Sequence, residues 1–263
     1  MAAGAVEPLM RGIGALGHET AGVLTMRNRR RPQAVLDLVA AAAGVEVDVV
    51  ESKERLAPLL RSYEPDVALC SGFGWRIPPD ALAVPRLGCV NGHPSLLPRW
   101  RGPNPFGWTL RAGDPEVGFT FHRMDEDFDT GPILSQGSMP LRGDETMPGL
   151  FDYLPTLVPP LLAEALERVE RGERGDPQDD TQATYAPLFE DEFAELDWTK
   201  TAREVHDQAR CWFLPTVSGI MGPLTTLDGE RVRVLETSLD LEGDGVLLDC
   251  ADRPLRVVRT EPV

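Results

Sequence analysis

Short apolar runs alternate with stretches of helical character over the first half of the chain. Residues 1–19 are rich in Ala, Gly, Leu and Met and read as a helix that stops near Gly17, since glycine commonly follows a helix C-terminus. Residues 21–25 then read as a buried strand, 32–43 as a helix, 45–50 (VEVDVV) as a strand and 52–63 as a helix. Two more apolar runs follow at 67–71 (VALCS) and 87–91 (LGCVN). Strands alternating with helices in this way predict an α/β domain on a mostly parallel sheet with flanking helices. After residue 91 comes a proline-rich loop, then strands at 117–124 and 133–141, then a long helix over 147–172. Pro155, Pro159 and Pro160 are expected to interrupt or kink that helix.

The polar, turn-forming segment 173–180 (ERGDPQDD) marks a boundary. Beyond it, residues 201–213 read as a helix. The tail then changes period: short β-rich runs at 224–227, 232–239, 246–250 and 255–258 are separated by DG, EG-DG and ADRP turns. That pattern predicts a small C-terminal β-rich, barrel-like module. The expected organisation is a catalytic domain over 1–175, a linker over 176–204 and the β-rich domain over 205–263.

Composition narrows the possibilities. Of 263 residues, 42% are hydrophobic, enough for a sizeable core and against a disordered chain. No apolar stretch approaches the roughly 18–20 residues that span a bilayer, and no basic segment precedes an apolar one at the N-terminus, so neither a membrane partner nor secretion is expected. Forty-two acidic against 26 basic residues give a net charge of −16, which argues against a general nucleic-acid binder. Cys70, Cys89, Cys211 and Cys250 form no CxxC pair and lie at no metal-ligand spacing from a histidine. They read as free thiols in a reducing cytoplasm, and no metal site is expected.

The segment Asn91-Gly92-His93-Pro94-Ser95-Leu96-Leu97-Pro98-Arg99-Trp100-Arg101-Gly102 follows a predicted strand, where open α/β sheets bind ligands. Asn91 and His93 are two apart and point to one side if the chain stays extended, which Pro94 favours at His93. A second turn, Met124-Asp125-Glu126-Asp127-Phe128-Asp129-Thr130-Gly131-Pro132, closes another predicted strand. An amide NH₂ can stabilise a developing oxyanion, and loss of one such donor typically costs about 3–4 kcal/mol of barrier. An imidazole adds a donor or exchanges protons near neutrality, and a carboxylate can orient it and accept a proton from an attacking amine. The three fit acyl transfer with no Ser or Cys nucleophile; on the residues alone, a turn or capping role stands beside that reading.

NGHPSLLPRWRG followed by MDEDFDTGPIL resembles the signature of the folate-dependent formyltransferases, which include methionyl-tRNA formyltransferases, glycinamide ribonucleotide transformylases and sugar N-formyltransferases. The resemblance covers nearly the whole chain: PRLGCVN leads into the first motif, ATYAPLFEDEFAELDW resembles the linker of the methionyl-tRNA branch, and the β-rich tail resembles its C-terminal domain. It implies a Rossmann-like fold, 10-formyltetrahydrofolate as co-substrate and an amine as acceptor. The family's catalytic trio falls on Asn91, His93 and Asp129: the first two steady the tetrahedral oxyanion, and Asp129 supports His93 and helps remove the amine proton. Folate binding falls on Phe73, Gly74, Trp75, Arg76 and Ile77, on Asp125, Glu126 and Asp127, and, beside the transferred carbon, on Ser95, Leu96, Leu97 and Pro98. Trp75 reads either as a cover for the folate or as a core residue. His122 reads as structural or as a substrate contact, His206 as a surface or helix-packing residue, and Arg99 and Arg101 as loop salt bridges or contacts to an anionic substrate.

Three departures from the family shape the expected acceptor. The family's opening apolar strand has no counterpart before the first helix, so either the start is placed downstream of the true one or the sheet has lost that strand. Only Arg27-Asn28-Arg29-Arg30-Arg31 stands where methionyl-tRNA enzymes carry a long basic insert, and the C-terminal module is short and acidic. The RGPNPFGW stretch also differs from those enzymes. A small-molecule amine is therefore the expected acceptor, methionyl-tRNA the alternative, and a folate-binding module without transfer the third reading. The oligomeric state is not fixed by sequence.

Overall fold

A computed structural model describes residues 3–26, 44–212 and 216–263. The predicted helix over 32–43 and the Arg27–Arg31 run lie outside the described residues. The chain gathers into two compact units, one of residues 1–101, 118–138 and 153–184, the other of residues 102–117, 139–152 and 185–263.

In the first unit, α1 (Ala3–Ala15) leads to β1 (Val23–Met26), which pairs in parallel with β2 (Val47–Val50). The helix stops as its sequence implies: Gly17 takes φ +83°, the His18 amide donates to the Ile13 carbonyl and the Gly17 amide to the Gly14 carbonyl. These two bonds satisfy carbonyls that a helix end otherwise leaves open. After α2 (Leu56–Tyr63), a second sheet runs in the order β3 (Ala68–Cys70), β4 (Cys89–His93), β5 (Glu116–Arg123), β6 (Ile133–Pro140), with a short α3 (Pro79–Leu82) before β4. β3 and β4 are parallel, but β4 and β5 are antiparallel. The sheet is therefore mixed.

One face of this sheet is apolar. Val90, Phe119, Phe121 and Leu134 pack against Leu161, Leu162, Ala165, Leu166 and Val169 of a long helix, here α5 (Leu154–Glu170). Their spacing along α5 traces one helical stripe. Of the two expected outcomes, interruption does not occur: the helix runs through Pro159 and Pro160. The break falls earlier, where residues 148–153 form a 3-10 turn and Pro155 occupies the first turn, a position that needs no amide donor. Burial of six apolar side chains on the stripe offsets the two missing amide bonds. β1 and β3 meet no partner on their inner edges among the described residues. A cavity of about 630 Å³ lies there, lined by residues such as Ile13, Leu24, Met26, Leu60, Leu69 and Phe73.

The second unit contains α4 (Pro105–Arg111), α6 (Ala202–Arg210) and an antiparallel sheet ordered β7 (Leu224–Leu227), β8 (Glu230–Ser238), β10 (Pro254–Pro262), β9 (Val246–Asp249). Register shifts at 257/259 and 259/260 of β10 increase its local twist and curl the sheet. Val234, Leu255 and Val257 pack with Ala202 and Val205 of α6. α6 opens with a capping box: the Thr201 hydroxyl oxygen accepts from the Glu204 amide, and the Glu204 carboxylate accepts from the Thr201 amide.

Candidate active site

The register of β4 against β5 explains the site. Asn91 stands opposite His122 and His93 opposite Thr120. Directly opposed residues share a face, and alternate residues along each strand return to it. Val90, Phe119 and Phe121 therefore face the core, while Asn91, His93, Thr120 and His122 share the other side of the sheet. The turn after β5 adds Asp129. Its φ of +59° is left-handed, a conformation aspartate tolerates better than most side chains. The turn needs glycine at 131, where a Cβ would fall 1.9 Å from the Arg123 carbonyl oxygen. Gln178 secures it by donating to the carbonyls of Asp129 and Gly131, each at 2.8 Å.

Around the Asp129 carboxylate, which is 10% exposed, three groups converge on Oδ1. The Asn91 Nδ2 donates at 3.2 Å, His93 Nδ1 lies at 3.5 Å and His122 Nε2 at 3.6 Å. The Nε2 of His93 donates to the Trp100 carbonyl at 2.8 Å, so in the neutral ring Nδ1 carries the lone pair. Trp100 itself has φ +60°, and its amide donates to the Thr184 hydroxyl at 2.9 Å, which fixes the carbonyl that receives His93. Burial lowers the His93 pKa below the usual imidazole value, and the Asp129 charge opposes that shift. Burial pushes the Cys89 thiol up to about 11 and also raises that of Cys211, so neither is poised as a thiolate nucleophile.

The other candidate residues fall into two groups. Ser95, Leu96, Leu97 and Pro98 form a tight turn fastened from within. The Ser95 hydroxyl donates to the Arg99 carbonyl, the Thr120 hydroxyl to the Ser95 carbonyl, and Gln136 to the Leu97 carbonyl. The Leu97–Pro98 peptide is cis. Phe73, Gly74, Trp75, Arg76 and Ile77 lie on the loop after β3. The Phe73 and Trp75 rings meet edge to face with centroids 5.9 Å apart, and both join Ile77 against the Val50–Leu56–Ala57–Ala81 cluster. Arg76 joins this loop to the second motif by donating to the Glu126 carbonyl and, at 2.7 Å, to Asp127 Oδ1. Asp125 is spent within its own turn, accepting from the Asp127 amide and the Thr130 hydroxyl, while the side chains of Glu126 and Asp127 are exposed. Arg101 pairs with Gln178 and Asp180, and the Arg99 guanidinium lies 4.1 Å from the Trp100 ring centroid. His206 is buried in the second unit, where its Nδ1 pairs with the Thr237 hydroxyl.

Two neighbours of the candidate residues left a weaker signal in the sequence or none. His122 reads as structural or as a substrate contact, because strand register is invisible in a single sequence, although its rarity and its place two residues before the second motif are visible. The Trp100 carbonyl, a backbone group, left no signal.

An amide, an imidazole and a carboxylate gathered at strand ends of a mixed α/β sheet are groups that can move protons and steady an acyl oxyanion. Residues 19–166 match the family model described as Formyl transferase, and the chain belongs to that family. A methionyl-tRNA formyltransferase of Pseudomonas putida (strain GB-1) is 35% identical over 214 residues, covering 77% of this chain and 67% of the relative. Among solved structures, WlaRD, a sugar 3N-formyl transferase crystallised with dTDP and 5-N-formyl-THF, shares the fold at TM-score 0.69 and 17% identity, covering 97% of this chain and 93% of the other. A sugar N-formyltransferase from Shewanella sp FDAARGOS_354 shares it at TM-score 0.63 and 20% identity, covering 90% and 95%.

Proposed function

We propose that this formyltransferase moves the formyl group of 10-formyltetrahydrofolate to the amine of a small molecule, with Asn91, His93 and Asp129 as its catalytic residues. The convergence of Asn91, His93 and His122 on one oxygen of a nearly buried carboxylate carries this reading. The residues present fit a folate: Gly72, Phe73, Ile77 and Met124 border an apolar cavity of about 630 Å³, a size usual for small-molecule sites, and Arg76 of the same loop donates to the Glu126 carbonyl. Residues 73–77, 95–98 and 125–127 would hold the folate, which supplies an activated formyl group.

The chain's own groups do the rest. A neutral amine attacks the formyl carbon; a C–N bond forms, the bond from that carbon to the folate N10 breaks, and one amine proton ends on N10. Asp129 accepts that proton from the amine and relays it to His93 Nδ1, steadying the charge the ring carries until the proton passes on to N10. His93 Nδ1, once protonated, and an Nδ2 hydrogen of Asn91 donate to the formyl oxygen as its charge grows. The depressed pKa of His93 keeps the ring neutral at pH 7, ready to take a proton rather than already carrying one.

A small acceptor is favoured by charge. The chain carries −16, and the arginines of the C-terminal sheet are engaged internally: Arg231 with Glu195, Arg233 with Glu261, Arg259 with Glu236, and Arg256 with the carbonyls of Asp240 and Asp244. Phosphate contacts to a tRNA would have to displace those pairs. A second reading, methionyl-tRNA as acceptor, is favoured by the 35% identity to relatives bearing that name. The test is tetrahydrofolate release from 10-formyltetrahydrofolate with charged initiator tRNA and, separately, nucleotide-linked amino sugars and free amino acids. Turnover on a small amine supports the first reading; turnover on the tRNA alone overturns it. Tight folate binding with no turnover on any acceptor leaves a binding module.

A further inference from the structure

The orientation of the Asn91 carboxamide depends on a residue outside the trio. His122 is 2% exposed, and its Nδ1 donates to the Arg123 carbonyl at 2.8 Å. In the neutral ring that bond leaves Nε2 as an acceptor, and Nε2 lies 3.1 Å from Asn91 Nδ2. The other Nδ2 hydrogen goes to Asp129 Oδ1 at 3.2 Å. Both neighbours of the Asn91 nitrogen are thus acceptors, so a flipped amide would set its oxygen against a carboxylate oxygen and an imidazole lone pair at once. The strand register favours the arrangement, because Asn91 and His122 are directly opposed across β4 and β5.

Building on the proposed role of Asn91, we infer that His122 is a positioning residue: its Nε2 lone pair holds the Asn91 carboxamide with NH₂ toward Asp129. The formyl oxygen then competes for a hydrogen already aimed and weakly held, rather than for one that must first be turned into place. Ordering a rotor before reaction is a common way for neighbours of a reacting group to raise turnover without changing ground-state binding.

The test uses the full chain labelled with ¹⁵N. The Asn91 side-chain amide pair, assigned by its loss in Asn91→Ala, is expected to be two resolved signals protected from solvent exchange. His122→Leu should collapse their separation and protection, while His122→Gln, which keeps an acceptor, should retain both. In turnover with an acceptor that the wild type formylates, His122→Leu is expected to lose about tenfold in kcat with KM for folate within twofold, and His122→Gln to recover most of it. If His122→Leu does not fold, His122→Gln and His122→Asn in wild-type and Asn91→Ala backgrounds decide the matter. Effects that vanish when Asn91 is absent support the inference, and effects that multiply overturn it. An unchanged Asn91 amide signal in folded His122→Leu also overturns it. Near-normal turnover in Asn91→Ala would sink the catalytic reading itself, a separate result from any failure of His122.

Discussion

Two parts of the first unit invite comparison. The space between β1 and β3 has volume, about 630 Å³, and walls that are largely aliphatic and aromatic. The outer face of β4 and β5 instead brings Asn91, His93 and His122 each within 3.6 Å of a single carboxylate oxygen of Asp129. The cavity can bury a ligand's surface, with titratable groups such as His18, Glu19, Glu64 and Asp66 among mostly apolar walls. The β4–β5 face can move protons, and its polar groups are satisfied by one another until a substrate competes for them. The loop over 71–77 borders the cavity and reaches the second motif through Arg76, so binding and chemistry would meet there. Size locates where a ligand is held; convergent polar groups locate where it reacts.

The largest expected effect lies on the polar face. Asn91→Ala and Asp129→Ala should each lower kcat by about 10²–10³-fold or more, the scale for losing one stabilising group, with thermal midpoints moved by only a few degrees. Steady-state kinetics beside circular-dichroism melts check this; turnover within threefold of wild type would transfer the chemistry elsewhere. A cavity-side change should do the reverse. A Cβ at Gly22 would fall 2.2 Å from the Tyr63 ring, whose hydroxyl is tied to Asp48 at 2.6 Å. Gly22→Ala should therefore destabilise the fold by about 1–3 kcal/mol, read by urea denaturation, while kcat of the folded fraction holds. If kcat collapses instead, the separation of cavity from chemistry is wrong.

Smaller effects concern protons. Because burial lowers the His93 pKa while Asp129 raises it, the acid limb of kcat/KM should fall below the ordinary imidazole range. In Asp129→Asn the raising charge is gone, so the His93 pKa should drop further; an NMR titration of the ring protons reads the shift, and an upward move would contradict the assignment. In the second unit, burial and the nearby Arg210 and Arg203 lower the His206 pKa to about 4. The unfolded chain then binds more protons between that value and about 6.5, so stability should decline as pH falls through this window and be level above it. His206→Gln should flatten that slope in pH-dependent melts.

Much of this was legible in the sequence. Apart from β10, which runs on to Pro262, the strands fall within about two residues of their predicted runs because each run is apolar and bounded by Gly, Pro or charged residues, and Gly17 closes α1 as its position suggests. The two motifs pointed to Asn91, His93 and Asp129, whose side chains the structure brings together. What failed to show is what depends on pairing. The antiparallel turn of the sheet at β5 places His122 against Asn91, and nothing local encodes that register. Residues 102–117 and 139–152 group with the C-terminal part of the chain through tertiary packing, which linear order does not reveal. An interior proline is costly in an isolated helix, but those of α5 do not interrupt it, because here six buried side chains hold the helix in place.

The most direct test of the central claim is a comparison of Asp129→Asn with wild type, measuring folate affinity by calorimetry and single-turnover formyl transfer to an amine that the wild type formylates. The proposed site predicts folate affinity within about threefold and transfer slowed by at least about 10²-fold. Transfer at the wild-type rate with folate bound would contradict it.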